Sequence, residues 1–556
     1  MSASAAARLH PVRTTIATVL AVVALAAVAL APGLIGSGSA LALLRLPLEA
    51  VLALAVLTLL PQGWLRRVVA VVAALLLVLT AVSAGLDRVF ALTVGRPFDI
   101  VTGWPELVDG YGVVQDSAGP GGALALLVGV VVLALGAVIA VTASLLHLSR
   151  RLRPRRRAAL IGASAVTAGW LVLALVGVQL VPGEPVAAAD TVATAAARTR
   201  QVEAAAHDAT ALDRAVANDP FARVPASDLL TGLKGKDVVV AFVESYGRVA
   251  VQGSSFSDGV DAVLRQGEAG LAAHGYGERS AFLTSPTFGG VSWLAHSTLQ
   301  SGLWVDSPLA YDRVTTSDRL TLAAAFRKAG WRTVSDVPSD TRHWPVGSSF
   351  YRFDEQLNGK NVGYRGPRFS YARVPDQYTL AYFQQRDLAK PHQPVMAEID
   401  LVSSHTPWTP LPSLVPWDAI GDGSLYAGQY AKGDSPSVAW QDPEHVRQLY
   451  GQSIQYSLGA LFSFLTTFDD PNLVLVVLGD HQPASIVSGT GAGHDVPVSI
   501  IAKDPAVLDR VASWRWEAGM LPSPSAPVWR MDAFRDRFLT AFGADGTHSA
   551  TGSALR

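Results

Sequence analysis

The chain has 556 residues, half of them hydrophobic and 16% charged, with a mean hydropathy of +0.30. That is too apolar for a purely soluble protein and too polar for a bundle confined to a membrane, so two regimes in one chain are expected. The 44 basic and 45 acidic residues leave no global field for nucleic acid, and the lack of cysteine excludes a disulfide framework, thiolate metal ligands and a thiol nucleophile.

Long apolar runs fall at residues 15–36, 40–61, 65–85, 122–148 and 157–181. Each is long enough to cross a hydrocarbon core of about 30 Å, which needs roughly 20 residues, so a bundle of five transmembrane helices over 1–182 is expected. Arg8 and Arg13 precede the first run, and the four further runs make it an uncleaved anchor rather than a removed signal. Arg66 and Arg67 lie beside the turn between runs two and three, and Arg150, Arg151, Arg153, Arg155, Arg156 and Arg157 fill the turn between four and five. With five crossings these clusters share one side, which the positive-inside rule makes cytoplasmic. The N-terminus is then cytoplasmic, while the 86–121 loop and everything beyond residue 182 lie outside a bacterial plasma membrane. No chemistry follows from GRPFDIVTGWPELVDGYG in that loop.

Residues 183–235 contain TVATAAARTRQVEAAAHDATALDRAVA, good helix formers without an apolar stripe, and read as a helical linker. Residues 236–545 are enough for one domain with its own core, and the tail 546–556 reads as disordered. In this domain DVVVAFVESYG, PVMAEIDLVSSHTPW, NLVLVVLGDHQP and HDVPVSIIAKD are continuous β-branched runs ending in polar residues. Continuous hydrophobicity indicates strands covered on both faces, and helix-like segments lie between them, so the expected fold is α/β with a mostly parallel central sheet.

Open sheets of this kind bind ligands at the carboxyl ends of their strands. Glu244 follows VVVAFV, His405 follows the EIDLV run, and Asp480 with His481 follow LVLVVLG, which puts acids and imidazoles on one rim. In GGVSWLAHSTLQSG, the glycines lead Ser292 into a helix as its cap or first-turn residue; Thr284, Ser285 and Thr287 lack that combination. A helix N-terminus suits a phosphate or alkoxide. Serine needs a base or a metal to become nucleophilic, and no G-x-S-x-G elbow is present at Ser292. Glu244, Asp480, His481 and the Ser292 oxygen are hard oxygen and imidazole donors suited to Mn²⁺, Mg²⁺ or Zn²⁺.

The strings VESYG, the glycine-led segment ending TLQSGL, SHTPW and LGDHQP together resemble the alkaline phosphatase and sulfatase superfamily. Within it they are similar to the membrane-anchored lipoteichoic acid synthase and phosphoglycerol transferase branch. The resemblance implies one divalent cation, manganese above all, held by Glu244, Ser292, Asp480 and His481. It also implies His405 near the substrate phosphate, His494 at a second ion or at substrate, and Trp344 bordering a headgroup pocket. The branch usually has threonine where this chain has Ser292, and often Glu-Phe where it has His296 and Ser297. Sulfatases use a C/S-x-P-x-R frame, and the nearest segment here, TSPTF, starts with threonine and lacks the arginine.

The implied activity is transfer of a phosphoglycerol-type group from a phosphatidylglycerol-like membrane lipid, through a covalent Ser292 intermediate, to an envelope glycan or polymer. The alternative is a metal-dependent phosphodiesterase or phosphatase with the same nucleophile. A non-enzymatic envelope scaffold or sensor is the third reading.

Overall fold

The computed structural model describes residues 3–182, 185–369, 371, 373–389 and 391–544; the tail expected to be disordered lies outside them. The chain forms two compact units, one comprising residues up to Ala91 and Arg96–His207, the other Leu92–Gly95 and the chain from Asp208.

The first unit is helical: α1 (Ala3–Ser37), α2 (Leu48–Leu59), α3 (Trp64–Thr93), α4 (Trp104–Leu152), α5 (Arg156–Val176) and the start of α6 (Asp190–Ala217). A two-residue parallel pairing joins β1 (Leu46–Pro47) to β2 (Ala187–Ala188). Among the described residues, three stretches are long and apolar enough to cross a membrane: Arg13–Ser37, Trp64–Thr93 and Gly119–Val176, the last taking in most of α4 and all of α5. The expected crossing at 40–61 is different, because its 12-residue helix α2 rises about 18 Å and falls short of the hydrocarbon core. The expected 86–121 loop is mostly helical as well, since α3 runs on to Thr93 and α4 starts at Trp104. α4 breaks at Gly119, where φ is +75° ahead of Pro120.

Small residues set the packing of this unit. Ala21, Leu25 and Ala29 of α1 cluster with Ala70, Ala74 and Leu77 of α3 and with Val141 and Leu145 of α4. Alanines four apart let helix backbones approach closely, which is how helices associate where lipid offers no hydrophobic contrast. Large apolar side chains face outward instead, as with Leu175 at 86% exposure. A polar clasp ties α6 to α3, with Arg198 donating to Ser83 Oγ, to both Asp87 oxygens at 2.7 and 2.8 Å, and to the Phe98 carbonyl.

The second unit is built on a nine-stranded sheet. Its strands are β3 (Asp237–Val243), β4 (Gly277–Thr284), β5 (Arg332–Val337), β6 (Glu355–Asn358), β7 (Val395–Leu401), β8 (Leu473–Gly479), β9 (Asp495–Ala502), β10 (Glu517–Ala518) and β11 (Val528–Arg530). The order is β10-β4-β9-β8-β3-β7-β5-β6, with β11 also on β4. The run β8-β3-β7-β5-β6 is parallel throughout, whereas β9 is antiparallel to both β8 and β4. The sheet is therefore mixed: burial on both faces makes a strand continuously apolar whichever way it runs.

Alternate residues of β3 feed two cores. Val239, Ala241 and Val243 face one with helix α7 (Ser257–Ala273) and the long helix Pro443–Phe468. Val238, Val240 and Phe242 face the other with α8 (Ser292–Ser301), the Leu322–Ala329 helix and the Ala533–Phe542 helix. Local signals start these helices: the Thr321 side chain accepts from the Ala324 amide, and the Asp442 side chain accepts from the Glu444 amide.

At the end of β8 the backbones crowd together. A Cβ on Gly479 would lie 1.9 Å from the Tyr246 carbonyl oxygen and 2.8 Å from its carbon, so no side-chain rotation relieves the clash. Gly479→Ala is expected to separate β8 from the segment after β3, lowering the melting temperature of the detergent-solubilised protein by several degrees and abolishing metal binding at the adjacent rim. An unchanged melt with normal metal uptake counts against this close approach.

Candidate active site

Strand register assembles the rim. Val243, the last residue of β3, pairs with Gly479 of β8 and with Leu401 of β7. The next residues, Glu244 and Asp480, therefore emerge side by side, and the Glu244 amide bonds back to the Leu401 carbonyl at 3.0 Å. Asp480 Oδ1 accepts from two backbone amides, Ser245 and His481, each at 2.7 Å. That leaves Oδ2, shielded from solvent and accepting no hydrogen bond.

Ser292 follows β4, which lies two places along the sheet from β8. The segment after β4 is zipped to the segment after β8 by the Phe288–Gln482 bridge and by the Gly289 amide on the Gln482 carbonyl at 2.8 Å. Gly289 has φ +71°, and Val291, which precedes the helix, also has a left-handed φ of +64° and makes no side-chain cap. Ser292 is consequently the first residue of α8, and its hydroxyl is free of capping duty. Its Oγ donates to Glu244 Oε2 at 2.9 Å and lies 3.2 Å from His481 Nε2.

The group fits a divalent cation. One oxygen or nitrogen from each of Glu244, Asp480 and His481 lies within 4.8 Å of the others. His481 Nε2 is 3.3 Å from Glu244 Oε1 and 3.7 Å from Asp480 Oδ2. These separations exceed ordinary hydrogen bonds but suit ligands about 2.1 Å from a common ion, which sit roughly 3.4 Å apart in tetrahedral geometry. His481 Nδ1 is 2.8 Å from the Gln482 carbonyl, a contact that assigns the proton to Nδ1 and turns the Nε2 lone pair inward. Charge points the same way. Burial and Glu244 push Asp480 up to about 7. Burial works against a charged His481, yet Asp480 and Glu244 raise it to about 9. Glu244 itself is held well below the usual carboxylate range, burial being outweighed by His481. Two buried carboxylates around one imidazole thus favour added positive charge.

The other sequence-derived candidates divide. His405 is the fourth residue past β7; the Ser404 hydroxyl bonds the Glu244 carbonyl, and His405 lies near enough to contribute to the lowering of Glu244. The His405 ring stacks on Tyr371 with centroids 3.8 Å apart, and its Nδ1 is 2.6 Å from the Thr406 carbonyl. His494 lies beside Phe288, ring centroids 5.5 Å apart, and its carbonyl accepts from the Ser285 amide, but it is outside the metal-ligand group. Trp344 packs on Tyr351 with ring centroids 5.0 Å apart, and Tyr311 meets Trp293, the residue after Ser292, edge-on at 4.5 Å.

A second group, His296 with Glu398 and Asp400, of which Glu398 is buried and the other two are partly buried, also has metal-ligand spacing. From the sequence, His296 is visible only as a departure from the branch's pattern. The available signal for the others is the alternation in AEIDL, which puts Glu398 and Asp400 on one face of β7.

No family model matches the chain, and no curated protein matches it. Among solved structures it is similar to an integral membrane lipooligosaccharide phosphoethanolamine transferase, EptA from Neisseria meningitidis, at 14% identity over 94% of this chain and 95% of that one, TM-score 0.46. It is also similar to the lipoteichoic acid synthase LtaP from Listeria monocytogenes, at 13% identity over 57% and 74%, TM-score 0.35. A third is the Streptococcus pyogenes phosphoglycerol transferase GacH in complex with sn-glycerol-1-phosphate, at 13% over 60% and 91%, TM-score 0.33. The last two bear the names of the branch that the sequence motifs resemble.

Asp480→Asn tests the electrostatics directly, since the amide keeps both backbone hydrogen bonds while removing the crowded charge. In chelator-treated protein it is expected to leave the melting temperature unchanged or raise it, while metal affinity falls at least about tenfold. A melt that drops without metal, or affinity that persists, contradicts the assignment.

Proposed function

We propose that the protein is a metal-dependent phosphotransferase of the bacterial envelope, with the second unit outside the plasma membrane and the N-terminus cytoplasmic. It takes a phosphoglycerol-type group from a phosphatidylglycerol-like lipid and passes it to a glycan or polymer hydroxyl. The observation that carries this reading is the 2.9 Å hydrogen bond from Ser292 Oγ to Glu244, with His481 beside it, at the first turn of a helix.

Glu244, Asp480, His481 and Ser292 are the residues to hold one divalent cation, with manganese proposed and magnesium or zinc compatible with the donors. When bound, such an ion lowers the pKa of a hydroxyl and offsets charge on phosphoryl oxygens. The chain's own groups do the rest. The Ser292 hydroxyl already directs its proton to a carboxylate, so the Oγ lone pair can be aimed at phosphorus. The Oγ–P bond forms as the P–O bond to diacylglycerol breaks, and His405 Nε2 is assigned to protonate the departing alkoxide. The acceptor hydroxyl then attacks phosphorus and loses its proton to His405 as the P–Oγ bond breaks, while Ser292 Oγ takes back from Glu244 the proton it passed there in the first step. The α8 N-terminus presents backbone amides and its dipole to the phosphate. His494 and Trp344 are assigned to the substrate side, with Trp344 packed on Tyr351. An apolar unit in the same chain keeps the site near its lipid, raising effective concentration without new contacts.

Labelled phosphatidylglycerol supplied to the solubilised full-length protein with manganese is expected to give a glycerophosphate adduct on Ser292, visible by mass spectrometry, and labelled acceptor. Ser292→Ala is expected to abolish the adduct and cut turnover at least about a thousandfold. Free glycerol phosphate as the sole product would assign a hydrolase instead. Full activity in the alanine variant would refute the nucleophile.

A further inference from the structure

We propose that His296, Glu398 and Asp400 form a second divalent-cation site, one helical turn along α8 from Ser292 and separate from the Glu244 site. The inference rests on its own geometry and does not require the transfer reaction.

The spacing is that of ligands around an ion. His296 Nδ1 lies 3.4 Å from Glu398 Oε1 and 3.6 Å from Asp400 Oδ1. Both distances are longer than a good N–H···O hydrogen bond and match the 3.3 and 3.7 Å separations around His481. One nitrogen placed almost equally far from two carboxylate oxygens bridges both through a common ion more readily than through one proton. Asp400 Oδ1 is shielded from water and accepts no hydrogen bond, the same condition as Asp480 Oδ2.

The surroundings orient these donors. Ser292, His296 and Gln300 recur every four residues and share one face of α8. Gln300 Nε2 donates to Glu398 Oε2, and Gln300 Oε1 accepts from the Ala323 amide at 2.9 Å, so the amide cannot flip and Glu398 Oε1 is left facing His296. The His296 ring lies on Phe242, centroids 3.8 Å apart and planes 12° apart, which fixes the plane in which Nδ1 lies. Outer contacts that lock the ligands are what a metal site needs. His296 and Asp400 side chains retain 13% and 14% exposure, against 1% for His481, which gives an ion a way in.

Charge supports the same assignment. Glu244, Asp480, Glu398 and Asp400 place four carboxylates around two imidazoles; burial works against a charged His296, yet Asp400 and Glu398 raise it to about 9, so an ion here would take the place of that proton. Burial pushes Asp400 up to about 7, helped by Glu398 and Asp480 and opposed by His296. The two groups share no residue, so the ion would act on the footing of α8 and, through the field between His296 and Asp480, on the rim rather than through a shared bridging side chain. One His with two carboxylates is a donor set for Mn²⁺ or Zn²⁺.

The test is metal content of the detergent-solubilised full-length protein, loaded with Mn²⁺ or Zn²⁺, dialysed and measured by mass spectrometry, with anomalous diffraction to locate the ions. Two ions per chain in the wild type are expected, falling to one in His296→Ala and in the near-isosteric Asp400→Asn, and to one in Asp480→Asn. Asp400→Asn decides the matter if His296→Ala does not fold. A single wild-type ion that disappears in Asp480→Asn and persists in Asp400→Asn overturns this site, makes His296 a protonated counter-ion, and leaves the Glu244 centre standing. Two ions retained in both lower variants overturn it as well. A single ion lost only on changing His296 or Asp400 supports this site and removes the Glu244 centre instead.

Discussion

Glu244 and Asp480 are held next to each other away from water, and the arrangement of the rim follows from making that tolerable. Asp480 uses one oxygen for two backbone amides and keeps the other unbonded, while Glu244 is drawn between the Ser292 hydroxyl and His481. Like charges buried this closely cost stability unless positive charge is supplied. A cation, or a proton on His481, meets the requirement, and only the cation also makes an alcohol reactive toward phosphorus. The hydrogen bond from His481 to the Gln482 carbonyl favours the ligand tautomer.

The same demand explains why so much backbone converges here. Three strands finish level because Val243 is in register with both Gly479 and Leu401. Gly479 has no side chain because the Tyr246 carbonyl occupies that space. The segment leading to Ser292 is pinned to the segment after β8 through Gln482, and its left-handed Gly289 and Val291 turn the chain abruptly so that Ser292 opens the helix. Strain at Val291 is consistent with a segment positioned for chemistry rather than for its own comfort.

Helix α8 connects two charged groups. Its first residue meets the Glu244 centre, its fifth meets Glu398 and Asp400, and its ninth fixes Glu398 and bonds the backbone at Ala323. A ten-residue helix with three polar residues facing a sheet would be unstable there without matching partners. Its remaining faces carry Leu294, Ala295 and Leu299 into the core, so the helix is anchored on apolar and ionic sides at once.

The sequence by itself determined the division into an apolar helical part and an α/β part, because apolar length and continuous β-branched runs report directly on what surrounds a segment. It also placed Glu244, Asp480 and His481 after strands, and Ser292 at a helix start, since those signals are local. Tertiary structure alone decided that β9 runs against its neighbours, because burial on two faces leaves strand direction unmarked. It likewise decided that 40–61 breaks into a short helix and that 86–121 is largely helical, where hydropathy marks polarity but not backbone conformation. The His296–Glu398–Asp400 group became visible only in three dimensions: His296 lies about a hundred residues before the other two, and their meeting depends on how α8 packs on the sheet, a geometry that no linear pattern encodes.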